Sequence, residues 1–408
     1  MKILFVHNYY QTPGGEDIVL KNEEVLFKSY GHAVTYYTRH NDEIKQYTFW
    51  QKIKFFYQTI YSVKTCREVS KLIDENKPDV ALVSNVFPLI SPSVYDCLKK
   101  NNIPIVQLVQ NQRFLCPSGL FFVNGMICER CKSGGVWNCV LRKCYKKSYA
   151  LSILYALTIL IHRVFKTFQR NIDIFITSNH FFRNKLIEGG FPAEKIVVEG
   201  NGIRMNALSQ KTRPGDYAVY MGRISAEKGL LTLLKAYKKL PHRKLVIMGS
   251  GDFETQLQMY ISQNNMANVD MKGFISGDSR FDFIRNARFT ILPTECYENF
   301  GMSVLESFAV GTPVIVSNIG GLPELVIEGK NGLLFEPGNV DDLTQKIDYL
   351  CENDSIMIEM SNYARQYVDD TYRADKHYER LTTIFNKAIA TARPTTVQPA
   401  EINACRDG

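Results

Sequence analysis

The stretch Pro293–Glu324, PTECYENFGMSVLESFAVGTPVIVSNIGGLPE, constrains the fold more than any other part of the chain. FTILP before it reads as a short buried strand stopped by Pro293. Phe300-Gly301 then opens a helix, with Val304, Leu305, Phe308 and Ala309 at helical spacing. Gly311 and Pro313 end that helix, and PVIVSN is the next strand. Such a strand–loop–helix–strand unit sets its loop at the carboxyl end of a strand, where open α/β sheets bind ligands. The helix start offers unpaired N–H groups and a positive dipole end, both suited to a phosphate. Glu298 and Glu306 bracket that start. A carboxylate repels phosphate, so the two are better placed to accept hydrogen bonds from hydroxyls. A ligand with both groups is a sugar nucleotide, although two such glutamates are, taken alone, also what a solvated surface carries.

The run E-N-F-G-M-S-V-L-E, followed by A-V-G-T-P-V-I and G-G-L-P-E, resembles the donor-site signature of the family 4 retaining glycosyltransferases. That resemblance covers the second half of the chain and, more loosely, the first. It implies the GT-B fold, an α/β architecture of two Rossmann-like domains with a cleft between them. It also implies that Glu298 meets the donor sugar's hydroxyls and Glu306 the ribose. The backbone of Asn299, Phe300 and Gly301 would touch diphosphate or sugar, while Glu324 is read as structural.

A chain of 408 residues suits two domains. Its formal charge of +8 is uneven: residues 1–200 hold 26 Lys/Arg against 16 Asp/Glu, the rest 23 against 25. A basic half can face nucleic acid, an anionic membrane or a phosphorylated acceptor. With no zinc-finger or helix-turn-helix pattern, nucleic acid is set aside and lipid or membrane phosphate favoured. MKILFVHN is a strand whose apolar core is shorter than the roughly 7–15 residues of a signal-peptide core. Ten cysteines without a secretory signal then point to reduced thiols in the cytoplasm.

KILFVHN opens a parallel sheet, and HAVTYYT, DVALVSN, IPIVQLVQ and DIFITSN continue it, separated by segments long enough for helices. Gly14-Gly15 make a tight loop before a helix over about 16–30. A plain turn and a close approach to phosphate fit those glycines equally well, and the resemblance favours contact with the donor's pyrophosphate. In Phe49–Lys64, one stripe (Phe49, Ile53, Phe56, Ile60, Val63) reads as core. The next (Trp50, Lys54, Tyr57, Tyr61) reads as an interfacial face or as ordinary exposed tyrosines. Ser148–Ile161 is an uncharged apolar run too short to span a bilayer, hence a core helix or an in-plane membrane helix.

Cys116, Cys128, Cys131, Cys139 and Cys144 crowd one short window, and Cys128-x-x-Cys131 has zinc-knuckle spacing. Cys116, Cys128, Cys131 and Cys144 form the candidate structural zinc set, with Cys139 as a substitute; buried free thiols or a redox pair are the other readings. A similar insert occurs in a subgroup of the family. Just upstream, many family members carry a histidine facing the acceptor, where this chain has Gln110-Asn111. Glutamine can hold a hydroxyl but cannot take a proton. Retention by front-face attack needs no base there, because the leaving phosphate accepts the proton.

In the second half, G-R-I-S-A-E-K-G resembles the family segment whose arginine and lysine bind the diphosphate, here Gly222, Arg223 and Lys228. Fixed cations stabilise a leaving group whose charge grows as the sugar bond breaks. Arg223, Lys228 and Glu298 are therefore the catalytic candidates. Gly273, Phe274 and Ile275 would pass the nucleobase. There is no Asp-x-Asp pair to hold a divalent ion, so donor binding without metal is expected, and no cofactor is required for catalysis.

The expected organisation is residues 1–205 as the acceptor domain with a Cys-rich insert at 111–147. Residues 206–372 form the donor domain behind a linker, QKTRPG. A helix over 373–390 crosses back, and 391–408 form a disordered tail. The expected activity is transfer of a sugar from a nucleotide-sugar to a saccharide or lipid-linked saccharide in cell-surface polysaccharide synthesis. The site would lie at the cytoplasmic face of the plasma membrane. A non-catalytic sugar-nucleotide-binding or partner protein, suggested only by Gln110, and a GT-B sugar-nucleotide epimerase are the alternatives.

Overall fold

The computed structural model describes residues 1–392 except 12, 13, 134, 206–208, 211, 212 and 214. The expected linker falls partly, and the expected tail almost wholly, outside the described residues. Two parallel six-stranded sheets organise the rest. The first holds β1 (Lys2–Tyr9), β2 (Ala33–His40), β3 (Val80–Val83) and β4 (Ile105–Val109). After a small antiparallel hairpin, β5 (Phe122–Val123) with β6 (Met126–Ile127), it adds β7 (Ile174–Thr177) and β8 (Ile196–Val198). Its spatial order is β2-β1-β3-β4-β7-β8. The second sheet holds β9 (Tyr217–Met221), β10 (Lys244–Met248), β11 (Val269–Gly273), β12 (Thr290–Leu292), β13 (Val314–Ser317) and β14 (Gly332–Phe335). Its order, β11-β10-β9-β12-β13-β14, reverses direction between β9 and β12. The expected α/β architecture of two doubly wound sheets is therefore present.

Central strands such as VALV and VIVS are buried along their whole length, because helices cover both faces of each sheet. The helix Gly15–Ser29 and the last helix, Ala374–Ala392, lie on the first sheet, with the rings of Phe27 and Phe385 stacked 5.0 Å apart. Leu381, Ile384, Phe385 and Ala388 thus belong to the first domain's core, although the chain reaches them only after completing the second sheet. His377 fastens this return, its ring nitrogens 2.9 Å from Glu23 and 2.6 Å from Glu199.

The apolar run after Ser148 is the helix Tyr149–Val164, which buries Leu154, Tyr155, Ala156 and Ile159. Among the described residues, no helix is long and apolar enough to cross a membrane. The helix Phe49–Ile60 corrects the sequence reading. Its first stripe is not core: Phe49 is 71% exposed, and Ile53 and Val63 also face solvent, as do Trp50 (76%) and Tyr57. Periodicity reveals an apolar face but not what covers it, and here only Thr59 is fully buried.

Contacts across the two domains hold the carboxyl ends of the sheets face to face. Glu324 accepts hydrogen bonds from the N–H groups of His180 (2.7 Å) and Phe181 (2.6 Å), at the start of the helix His180–Glu188. Ser178 donates to Asn299 Oδ1 at 2.9 Å, and the Asn179 side chain donates to the Asn299 carbonyl.

Candidate active site

In a doubly wound sheet the ligand crevice opens where strand order reverses, here between β9 and β12. β9 delivers Gly222 and Arg223, followed by the short turn Ala226–Lys228. Gly229 then takes a left-handed backbone (φ +66°), and a Cβ there would sit 1.8 Å from the carbonyl oxygen of Pro293. Only glycine lets the turn approach the end of β12 this closely. The Glu295 N–H donates to the Glu227 carbonyl at 2.9 Å and laces the two loops together. Lys228 is thereby brought onto Glu298: its ammonium donates to Glu298 Oε2, and both side chains are more than four-fifths buried. Burial opposes the charge on Lys228, but the neighbouring carboxylate prevails and raises its pKa above the ordinary value.

Arg223 stays half exposed, with Nη2 2.8 Å from Glu227 Oε1. Ser225 donates to the same oxygen at 2.7 Å, which fixes the carboxylate that orients the guanidinium. On the far side, Gly301 (φ +75°) precedes the helix Met302–Ala309, and Glu306 lies in that helix. Glu306 is buried and accepts from Arg280 Nη2 at 2.9 Å. Burial raises its pKa, against the pull of Arg280. Gly273 ends β11, and Phe274 beside it is 71% exposed, leaving a bare aromatic face at the rim; Ile275 is half buried. The Phe300 side chain is buried against Tyr372, so only its backbone is available to a ligand.

Across the cleft, the Gly14 N–H donates to Asp17 Oδ2 at 2.8 Å. Among the described residues, a Cβ on either Gly14 or Gly15 would meet nothing within 4 Å. Gln110 and Asn111 follow β4 and line a pocket with Glu16, Ser84, Asn85 and Arg113. Asn299 of the donor loop reaches the Val109 carbonyl (3.4 Å), so acceptor-side and donor-side candidates adjoin.

Cys116, Cys128, Cys131 and Cys144 line a single pocket, Cys139 is buried, and all five are free thiols. Burial, with Cys116 and Cys144 close by, pushes the Cys131 thiol up to about 12. The donors suit zinc in kind and neighbourhood, yet among the described residues no three His, Cys, Asp or Glu side chains are set as a metal-holding group. Glu129, between Cys128 and Cys131, accepts from the Tyr297 hydroxyl at 2.7 Å and from Lys185 at 2.7 Å. The insert therefore braces the donor loop.

A family model described as glycosyl transferases group 1 matches residues 207–367, a span that contains Arg223, Lys228, Glu298 and Glu306. Residues 207–367 are a glycosyl transferases group 1 domain. Over 205 residues the chain is 29% identical to an uncharacterised glycosyltransferase of Methanocaldococcus jannaschii, covering 50% of this chain and 56% of that one. It is 26% identical over 226 residues to the capsular polysaccharide biosynthesis glycosyltransferase CapM of Staphylococcus aureus, covering 52% and 58%. The aligned part is thus little more than half the length of these relatives. Among solved structures, sucrose-phosphate synthase of Thermosynechococcus elongatus superposes with a TM-score of 0.73 at 16% identity, over 96% of this chain and all (100%) of that one. HepE of Anabaena in complex with UDP gives 0.67 at 17% identity, over 95% and 100%. These likenesses extend beyond the group 1 domain to the first domain as well, and the fold is GT-B.

Sequence reasoning missed the partners that hold the candidate site in place: Glu227 for Arg223, Glu295 for Thr232 (2.6 Å), and Arg280 for Glu306. Glu227 was legible, lying between two cations in the A-E-K turn. Arg280 had no local signal, because its partner is 26 residues away.

Proposed function

We propose that this chain is a retaining glycosyltransferase that moves a sugar from a nucleotide-sugar to a saccharide or lipid-linked saccharide. The observation that carries the reading is the Lys228–Glu298 pair at the switch point of the second sheet, with Arg223 alongside. Arg223 and Lys228 receive the diphosphate and stabilise its charge as the sugar leaves, without a metal. Glu298 holds Lys228 in place and accepts from the sugar's hydroxyls. Glu306 accepts from the ribose, and the Phe274 ring offers a face to the base. The acceptor enters over Gln110 and attacks on the face the diphosphate leaves, which takes the proton, so the anomeric configuration is kept.

Relatives named for capsule and amylovoran biosynthesis support a role in cell-surface polysaccharide synthesis. The exposed Phe49, Trp50 and Tyr57, interleaved with Lys52 and Lys54, form the face that meets an anionic membrane from the cytoplasmic side. Zinc bound by Cys116, Cys128, Cys131 and Cys144 would tie the insert down without entering the chemistry.

The test is transfer from a panel of nucleotide sugars to a membrane extract, with the product's anomeric configuration read by NMR. Retained configuration is expected. Donor binding without turnover would leave a binding protein, and an inverted product would overturn the mechanism.

A further inference from the structure

Arg113 stands four residues past the carboxyl end of β4 and is only 6% exposed. Among the described residues it forms no ion pair, and its Nε is buried with no hydrogen-bond partner. Phe87, Tyr145 and Tyr155 place their rings 5.2–5.7 Å from the guanidinium carbon. The Tyr145 hydroxyl is also within hydrogen-bonding reach of the guanidinium. Rings and a phenol return less than the burial of a guanidinium without a carboxylate partner costs. Glu16, in the same pocket, is engaged elsewhere: it accepts from Asn111 Nδ2 at 2.9 Å and from the Tyr10 hydroxyl at 3.3 Å. Burial raises its pKa, against the pull of Asn111 and Arg113, so the neutral acid that an anion tolerates comes within easier reach.

The pocket holds further unmet bonding capacity. Among the described residues, both amide atoms of Gln110, which lines it, are buried without a partner. Native interiors rarely leave such groups unpaired, so each calls for a partner. Gln110 follows Val109, whose carbonyl meets Asn299 of the donor loop, so the unmet groups border the place where transfer would occur.

We propose that this pocket is an anion subsite for the acceptor, in which Arg113 binds a phosphate or carboxylate oxyanion and the Gln110 amide holds a neighbouring hydroxyl. The subsite rests on the donor–acceptor reading above and adds the acceptor's chemistry: an acidic sugar or a phosphate-bearing carrier. Arg113 can offer two parallel N–H donors to either oxyanion.

The test titrates the full chain with methyl glucuronide, glucose 1-phosphate and citronellyl diphosphate by calorimetry, using wild type, Arg113→Gln and Lys228→Ala. UDP is titrated in parallel as the donor-site probe. At least one anion should bind wild type and Lys228→Ala alike and bind Arg113→Gln at least about tenfold more weakly. Arg113→Gln should keep its UDP affinity. Preference for the glucuronide assigns an acidic sugar, and preference for the diphosphate assigns a lipid-carrier headgroup. Undiminished anion binding by Arg113→Gln, or no binding of any of the three by wild type, overturns the subsite. Removing a buried charge that no carboxylate pairs should leave the melting temperature unchanged or higher. A fall of about 5 °C or more would instead make Arg113 a structural post for the aromatic cluster and also overturn it. Failure of UDP to bind wild type would count against the donor reading alone.

Discussion

Lys228 and Arg113 are both largely buried cations beyond the carboxyl ends of parallel strands, one in each domain, yet their surroundings differ. Lys228 rests on Glu298, and Arg223 on Glu227, so both cations of the second domain's candidate site already have carboxylate partners. Arg113 has aromatic rings and open amides around it, and its nearest carboxylate is bonded to other groups. A third buried cation, His377, is held by two carboxylates and joins the last helix to the first domain. Carboxylate pairing therefore separates Lys228, Arg223 and His377 from Arg113, the cation the proposed subsite uses. In the proposed reading the pairing carboxylate does both jobs, because Glu298 fixes the lysine and would accept from the sugar's hydroxyls.

The sharpest way to break this contrast is Lys228→Ala. Transfer, measured as kcat/KM, should fall about 100- to 1000-fold, with the melting temperature within a few degrees of wild type. Near-normal turnover would remove Lys228 from the diphosphate site.

His377→Ala removes the doubly paired cation and should cost about 3 kcal/mol of stability in denaturant titrations at neutral pH. Burial disfavours charge on this histidine, but Glu23 and Glu199 lift its pKa from 6.5 to about 9. A raised folded-state pKa stabilises fully below 6.5, and that stabilisation is lost as pH climbs through about 9. The penalty of the substitution should shrink over that range. A penalty constant with pH would mean that packing, and not charge, does the fastening.

Arg280→Ala probes a paired carboxylate. With the paired cation gone, Glu306 becomes easier to protonate, so UDP affinity should drop about tenfold and recover in part as pH rises from 6 to 8. A loss of affinity independent of pH would argue that Arg280 itself touches the ligand.

The smallest effect is expected at the insert. Cys128→Ser should lower the melting temperature by a few degrees and release zinc measurable by elemental analysis, while transfer falls only a few-fold as the Glu129–Tyr297 brace loosens. A metal-free wild-type protein would end the zinc reading and leave the thiols as packing.

What the chain spells locally was readable from its letters. The alternation of apolar strands with helix-length segments predicts two parallel sheets, since each signal lies within a dozen residues. GRISAEKG and ENFGMSVLE place Arg223, Lys228, Glu298 and Glu306 because strand ends and helix starts are set by nearby glycines and prolines. The apolar stripe of Phe49–Ile60 misled for the complementary reason: burial depends on what docks, and nothing in that window encodes it. Only the tertiary structure joined Lys228 to Glu298 across 70 residues, Tyr297 to Glu129 across 168, and His377 to Glu23 across 354. Charge pairing acts over a few ångströms of space whatever the separation in sequence. Which of the buried cations described above meet a carboxylate was therefore decided by the fold alone.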